Sequence, residues 1–245
     1  MRILLTNDDG IAAPGLRLLA QFAQKIAGKD GEVLIVAPLV EHSGRSQSIE
    51  IHKPFVVKKS ALFEDMGLSA YCVHSTPTDC VRFSMDRFGH FDYIFSGINP
   101  GMNLGLDISY SATCGAAFEA TYWGVRAMAV SSDLGCLEVA ADKIGEIWEY
   151  IQKNDLFAHC QMCNVNVPRD PKGIRLTAQG GPYYRDSFFP VEEDVYEARY
   201  HVEEKDEKDL DLGIDTDAVR AGYCSVSPLL AHRTDFETLK KLSRQ

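Results

Sequence analysis

Residues 2–10 read Arg-Ile-Leu-Leu-Thr-Asn-Asp-Asp-Gly. Residues 2–6 form a short apolar run of the kind that makes a buried strand, and polar residues follow at once. Two adjacent carboxylates, Asp8 and Asp9, therefore stand at the end of a strand that lies against a low-dielectric core. They stay ionised there only if positive charge is near, because burial and mutual repulsion both disfavour the charged forms. This stretch predicts a cation-binding loop at one edge of a sheet.

Strands and helices alternate outward from this stretch through the first 132 residues. Further strands are predicted at 32–37, 49–58, 70–74, 92–96 and 126–131. Pro14 and the apolar spacing after it predict a helix behind the first strand, and Thr76-Pro77 predicts a second helix start. Such alternation is typical of parallel strands joined by right-handed helical crossovers. The sequence therefore predicts an α/β fold with a doubly wound, mostly parallel sheet.

The character of the chain changes near residue 160. Strands with polar alternation are predicted there at 162–167, 173–178 and 194–202. No linker or repeat separates this part from the rest, so we expect one domain over 1–245, with 160–245 as a β-rich extension. An aromatic cluster near 183–189 would leave apolar surface exposed on a small appendage. We expect residues from about 180 to 230 to carry the contact between subunits, unless they fold back on their own body.

The composition excludes some functions. The formal net charge of −10 argues against a basic nucleic-acid-binding surface, so no stable nucleic-acid complex is expected. No apolar run approaches the length of a membrane span, and no secretory signal is evident. Most of the seven cysteines sit in apolar segments, as buried free thiols do. We therefore expect a cytoplasmic protein without membrane association.

Three loops leave the same edge of the predicted sheet, beyond the carboxyl ends of the strands, where open parallel sheets bind ligands. The loop after residue 6 contains Asp8 and Asp9, the loop after residue 37 contains Ser43, and the loop after residue 96 contains Asn99. Carboxylate, hydroxyl and amide oxygens are hard ligands that suit Mg²⁺, Mn²⁺ or Ca²⁺. These four side chains could together bind one divalent cation. The competing interpretation is that the aspartates cap a turn or helix.

An anion site is predicted beside the cation site. The glycines at 97, 101 and 105 allow backbone N–H groups to turn inward around a phosphate. Ser111 and Thr113 precede a predicted helix, and a helix N-terminus with hydroxyls favours an anion. A plain tight loop and ordinary helix capping are the structural alternatives. Metal ligands together with an anion cradle point to hydrolysis of a phosphate ester.

Several spaced motifs resemble the survival protein E family. They are TNDDGI at 6–11, SG at 43–44, TPTDCV at 76–81, SGIN at 96–99, NLG at 103–105, YS-T at 110–113 and GYCSVSPL at 222–229. The resemblance implies a Rossmann-like α/β body whose C-terminal extension serves oligomerisation, giving a homodimer or homotetramer. It also implies a metal-dependent 5′-nucleotidase that hydrolyses nucleoside 5′-monophosphates, with broader phosphatase activity and one Mg²⁺ or Mn²⁺ per subunit.

The resemblance places the metal ligands on Asp8, Asp9, Ser43 and Asn99. Asp8 and Asp9 are then the catalytic candidates, with either carboxylate as a general base toward water or Asp8 as a nucleophile. The phosphate-binding candidates are Asn99, Asn103, Ser111 and Thr113. The family has a glycine where this chain has Ala112, next to the expected phosphate, so substrate size or rate is expected to differ.

Two other functions fit part of the sequence. A signalling receiver domain also binds Mg²⁺ with an acidic pair after its first strand. It needs an acceptor aspartate after a later strand, and none ends residues 49–58 or 70–74. A nucleotide-binding module without catalysis would bind nucleotides and release no phosphate. A phosphate-release assay with AMP and Mn²⁺ separates this module from an enzyme.

Overall fold

A computed structural model describes residues 1–243. Within that span, the strands are β1 (Arg2–Thr6), β2 (Glu32–Pro38), β3 (Val57–Ser60), β4 (Ser69–Val73), β5 (Tyr93–Pro100), β6 (Arg126–Ser132), β7 (Met162–Val167), β8 (Ile174–Leu176), β9 (Tyr184–Glu192), β10 (Val195–Val202) and β11 (Cys224–Leu229). The helices are α1 (Pro14–Ala27), α2 (Pro77–Phe88), α3 (Ala112–Tyr122), α4 (Leu137–Lys153), α5 (Leu156–His159), α6 (Asp215–Arg220) and α7 (Phe236–Leu242). None of these helices is long and apolar enough to cross a membrane.

Nine of the strands in residues 1–243 form one mixed sheet in the order β3-β4-β2-β1-β5-β6-β7-β11-β8. The strands from β4 to β7 in this order run parallel to one another. The outer strand β3 is antiparallel to β4, and β11 is antiparallel to β7. The predicted α/β fold with a mostly parallel sheet is therefore confirmed.

Helices cover both faces of the sheet. Residues of α1 and α4 pack on one face in the larger hydrophobic core, and residues of α2 and α3 pack on the other face. From β1 the chain continues through α1 to β2 on one side, whereas from β5 it continues through α3 to β6 on the other side. The carboxyl ends of β1 and β5 therefore flank a topological switch point, which is where doubly wound sheets bind ligands.

Local signals place the two predicted helix starts correctly. Pro14 is the first residue of α1, where its missing N–H costs no hydrogen bond. Thr76 caps α2, since its hydroxyl oxygen accepts a hydrogen bond from the N–H of Asp79 at 3.1 Å. Residues 3–5 of β1 are fully buried, as their continuous apolar run predicts.

The strand predicted at 49–58 is wrong over most of its length, because the structure forms a strand only at Val57–Ser60. The carboxylate of Glu50 accepts a hydrogen bond from the N–H of His52 at 2.8 Å, which turns the backbone. Pro54 then has no N–H to contribute to a strand ladder. Residues that favour strands but have no neighbouring strand to pair with therefore stay irregular here.

Residues beyond 160 divide between the sheet and a projection. Strands β7, β11 and β8 complete the main sheet, whereas β9 and β10 pair only with each other as an antiparallel hairpin. Most of the aromatic cluster near 183–189 belongs to β9, which the sequence did not predict as a strand, and Tyr183 directly precedes that strand. The two ends of the hairpin meet where the N–H of Glu203 donates to the carbonyl of Tyr183 at 2.9 Å. The hairpin therefore leaves the body and returns to it at one point.

Gly15 sets how closely α1 approaches the end of β5. A Cβ at this position would lie 2.0 Å from the carbonyl oxygen of Ile98, so the Gly15→Ala helix must move away. We expect that variant to lower the free energy of unfolding by about 1–3 kcal/mol, the usual cost of overpacking. Gly145→Ala in α4 is the matched control, because a Cβ there meets nothing within 4 Å. We expect it to be neutral or stabilising by up to about 1 kcal/mol. Urea unfolding compares the two, and equal stabilities would contradict the close approach.

Candidate functional site

The loop that follows β1 carries Asp8 and Asp9 and lies at the switch point. Asp8 is buried there, and one oxygen of its carboxylate accepts a hydrogen bond from the hydroxyl of Thr113 in α3. The backbone carbonyl of Asp8 accepts a hydrogen bond from the N–H of His42, in the loop after β2, at 2.7 Å. Three segments that are distant in sequence therefore meet at one residue, as expected for loops near the carboxyl ends of parallel strands.

The carboxyl groups of this loop are buried or half-buried and repel one another. Burial raises the pKa of Asp8, and the hydrogen bond from Thr113 opposes that rise. The pKa of Asp9 is raised to about 7, first by burial and then by the negative charges of Asp8 and Glu41. Sequence reasoning left Glu41 out of the site, although it lies in the loop after β2 at the same edge. A bound cation would relieve the repulsion between Asp9 and these neighbouring carboxylates.

Unpartnered oxygen atoms in the loop fit a hard divalent cation. Within residues 1–243, Oδ1 of Asn7 and Oδ2 of Asp9 are buried and have no hydrogen-bond partner. Such atoms carry a desolvation cost that a cation would offset. No group of three or more His, Cys, Asp or Glu side chains in that same span could hold a metal. The predicted ligand set differs from such a group, because it combines two carboxylates with two neutral oxygens.

The two neutral ligand candidates sit on different kinds of element: Asn99 lies near the end of β5, where the sequence predicted a loop, and Ser43 lies on the loop after β2. Asn99 is half-buried, and its amide nitrogen donates to the carbonyl of Gly101 at 2.7 Å. That bond leaves its amide oxygen for a ligand. Ser43 is exposed in the loop after β2, the same loop whose His42 bonds Asp8. Metal ligation by Asn99 and Ser43 stays a prediction.

The hydroxyls at the start of α3 are engaged with the protein. Ser111 caps the helix, with its oxygen accepting a hydrogen bond from the N–H of Cys114 at 3.0 Å. Thr113 donates to Asp8 instead of facing an open cradle. Ala112 is the first residue of the helix and is fully buried. Capping and positioning are therefore observed for these hydroxyls, and phosphate binding by them stays a prediction.

Asn103 is buried and held by side chains from two neighbouring strands. Its carbonyl accepts hydrogen bonds from the amides of Asn164 at 2.8 Å and Asn166 at 3.0 Å. Its N–H donates to the amide oxygen of Asn166 at 2.8 Å, and its own amide nitrogen donates to Ser131 at 2.7 Å. The loop after β5 is thus clamped to β6 and β7. Direct phosphate contact by Asn103 stays a prediction.

Sequence reasoning missed this clamp. The signal is in residues 162–167, Met-Cys-Asn-Val-Asn-Val, where the two asparagines are fully buried in a central strand and so require partners. Asp215 was missed as well. It is fully buried and accepts hydrogen bonds from the N–H groups of Gly105 at 2.9 Å and Gly180 at 2.8 Å. These residues fix the shape of the loop that carries Asn103.

Comparison with known proteins shows the family of this chain. A family model described as "Survival protein SurE" matches residues 3–186. The chain belongs to the SurE family. It is 35% identical over 257 residues to a protein named 5′-nucleotidase SurE from Caldanaerobacter subterraneus subsp. tengcongensis, covering 98% of this chain and 96% of that protein. A protein of the same name from Natranaerobius thermophilus is 35% identical over 256 residues, covering 99% and 98%.

A solved SurE structure shares the fold. The crystal structure of the SurE protein from Aquifex aeolicus superposes with a TM-score of 0.80 at 28% sequence identity. The superposition covers 100% of this chain and 99% of that one. Both the resemblance read from the motifs and the Rossmann-like α/β fold are confirmed.

The raised pKa of Asp9 predicts how pH acts on the metal-free protein. The ordinary pKa of this carboxyl is 3.8 and its pKa in the folded protein is about 7, so the folded state binds the proton more tightly than the unfolded state. The stability from this proton is complete below about pH 4 and is lost as pH rises through about 7. We expect thermal unfolding in EDTA to show this loss and Asp9→Asn to flatten it. Saturating Mg²⁺ should stabilise the wild type most at the high end of the range. A wild-type profile as flat as that of the variant would contradict the burial of this charge.

Proposed function

We propose that this protein is a 5′-nucleotidase that hydrolyses nucleoside 5′-monophosphates to a nucleoside and phosphate, with activity on other phosphomonoesters. One observation carries the proposal. A carboxylate pair, with Asp8 buried, Asp9 half-buried and one oxygen of Asp9 unpartnered within residues 1–243, lies at the switch point of a chain whose relatives over nearly their full length are named 5′-nucleotidase SurE. The binding module without catalysis is the second candidate, favoured by Ala112 at a position where the resemblance to the family implies a glycine.

The residues fit one divalent cation, Mg²⁺ or Mn²⁺, per subunit. Asp8, Asp9, Ser43 and Asn99 would hold it through oxygen atoms, the ligands that both ions prefer. When bound, such a cation supplies positive charge that stabilises the charge developing on the phosphate in the transition state.

The carboxylates are the groups that do the chemistry in this proposal. Hydrolysis breaks the ester P–O bond, adds the hydroxyl of water to phosphorus and leaves a proton for the departing nucleoside oxygen. In one route a carboxylate, Asp8 or Asp9, accepts the proton of the attacking water. In the other route Asp8 attacks phosphorus, and water then cleaves the acyl phosphate. Thr113 orients Asp8 for either route by holding one of its two oxygens.

The remaining candidates would bind the phosphate. Asn99 lies at the end of β5, Asn103 lies on the loop after β5, and Ser111 and Thr113 lie at the N-terminus of α3. The clamp on Asn103 supports a loop with a fixed shape, which is what positioning of a phosphate requires. A cytoplasmic location is part of the same proposal, and all seven cysteines are free, as expected in a reducing compartment.

We also propose that the β9–β10 hairpin carries the contact between subunits, within one domain whose residues 160–245 serve a homodimer or homotetramer. Large apolar side chains on the hairpin are exposed, with Phe188 at 69%, Tyr196 at 64% and Tyr200 at 71%. A monomer seldom leaves so many together in water. A second copy of the chain would cover them.

Replacement of two hairpin residues tests this assembly. We expect the double variant Phe188→Ser, Tyr196→Ser to have a smaller mass than the wild type in light scattering at micromolar concentration, because it removes apolar contact area. Leu106→Ser, at an exposed apolar residue outside the hairpin, is the control and should keep the wild-type mass. A monomeric wild type, or an unchanged mass in the double variant, would contradict the proposal.

Replacement of Asp8 tests the enzyme. Asp8→Asn keeps the volume and removes one negative charge, so we expect the metal-free variant to be at least as stable as metal-free wild type. Phosphate release from AMP should fall by roughly two or more orders of magnitude, since the charge and the base or nucleophile are lost together. EDTA should abolish wild-type activity, and Mn²⁺ or Mg²⁺ should restore it.

Asp142→Asn, at an exposed position of α4, is the matched control and should keep full activity. Nucleotide binding by the wild type without phosphate release would favour the binding module. Full activity after exhaustive EDTA treatment would contradict the requirement for a divalent cation. Full activity of Asp8→Asn would mean that Asp8 has only a structural role.

A further inference from the structure

A cavity of about 340 Å³ lies beside the first turn of α3. Ser111, Gly115 and Phe118, which share one face of that helix, form part of its lining. Thr113, whose hydroxyl bonds Asp8, lies only about 3 Å further along the helix axis than Ser111. The cavity therefore reaches Ser111, one of the phosphate-binding candidates, without containing either carboxylate.

The loop after β2 forms one wall of the cavity. A Cβ at Gly115 would lie 2.8 Å from the carbonyl oxygen of Ser46, so a glycine is required for the loop to approach α3 this closely. The approach places Gln47 on the cavity. The same loop bonds the backbone of Asp8 through His42. One loop therefore serves both the cavity and the reaction centre.

Two glutamine amides on the cavity offer hydrogen-bond acceptors. The amide nitrogen of Gln47 donates to the carboxylate of Glu119 at 3.1 Å, and that of Gln179 donates to the carbonyl of Gly105 at 2.7 Å. Because both nitrogens are engaged, the two amide oxygens are the atoms left to accept a hydrogen bond. Acceptors at a fixed position match the N–H groups on the edge of a nucleobase.

The remaining lining suits a flat, aromatic ligand. Ile108 and Phe118 supply apolar surface. Arg233 also lines the cavity, and its guanidinium forms no ion pair with any residue of the described chain, 1–243. A guanidinium plane without a carboxylate partner is able to stack on a base. The cavity thus combines apolar surface, amide acceptors and a stacking cation.

We propose that this cavity binds the base of the nucleotide substrate, with Gln47, Gln179 and Arg233 as specificity-determining residues. The proposal rests on the proposed 5′-nucleotidase function. The cavity volume lies in the range of small-molecule sites. With the phosphate at Asp8 and Asp9, the sugar spans the first turn of α3, and the base enters the cavity on the other side of that turn.

Kinetics with and without a base test the assignment. Ser109→Trp fills the cavity from an exposed position of its lining, and Gln47→Ala and Arg233→Ala each remove one contact. We expect kcat/KM for AMP to fall roughly tenfold or more in each variant, because the loss of one well-formed contact with the base lowers affinity by about that factor. Ribose 5-phosphate has the same phosphate and sugar and no base. Each variant should therefore hydrolyse it with a kcat/KM within about twofold of the wild-type value.

Adenosine binding gives a readout independent of hydrolysis. Isothermal titration calorimetry should show adenosine bound by the wild type and not by Ser109→Trp. Gln21→Ala and Arg87→Ala, at exposed positions on α1 and α2, are the matched controls and should behave as wild type in both assays. Thermal unfolding verifies that each variant is folded.

The outcomes separate the two proposals. An equal loss of kcat/KM for AMP and ribose 5-phosphate, or unchanged adenosine binding by Ser109→Trp, would overturn the cavity assignment. A wild type that binds no adenosine would overturn it as well. A wild type that binds adenosine in the cavity and hydrolyses neither phosphate ester would overturn the proposed enzyme and leave the base site standing.

Discussion

The carboxylate of Asp8, buried just beyond the end of β1, is the constraint on which the geometry of the candidate site depends. Water would solvate the Asp8 carboxylate well, whereas its position in the fold offers the Thr113 hydroxyl, backbone N–H groups and a neighbouring negative charge. An apolar side chain there would remove the desolvation cost and would leave Thr113 without its acceptor. The loop after β2 and the start of α3 are both bonded to this residue, so the arrangement of the whole edge follows from it. Local electrostatic strain of this kind is typical of functional sites.

Much of the fold could be predicted because its signals are local. Buried parallel strands require continuous apolar runs, and prolines at Pro14 and Pro77 mark where helices begin. The edge from which the candidate ligand loops leave follows from the direction of the strands alone. The segment at 49–58 shows the limit, because whether a β-rich sequence becomes a strand depends on a ladder partner that local sequence does not specify.

The candidate site could likewise be predicted only in part. Residue types and loop positions indicate which side chains share an edge, as with Asp8 and Asp9. The sequence does not indicate which partner each side chain takes once the chain is folded. Thr113 bonds a carboxylate from β1, and Asn103 is clamped by Asn166 from a strand more than 60 residues away. Such long-range polar pairs follow from tertiary packing, since a buried amide must find a partner wherever the sheet brings one.

The hydrogen bond between Tyr183 and Glu203 joins the two ends of the β9–β10 hairpin, so the hairpin is an insertion that the main sheet does not need. Because its first and last residues are already neighbours, a tight turn joining them would replace β9 and β10 without moving a strand of the main sheet. Lengthening the hairpin would be tolerated for the same reason, since the loop-closure entropy changes slowly with length. Evolution can therefore rebuild this appendage, or exchange it for another, while the sheet edge that holds Asp8 stays as it is. The position is correspondingly suited to the insertion of a foreign domain.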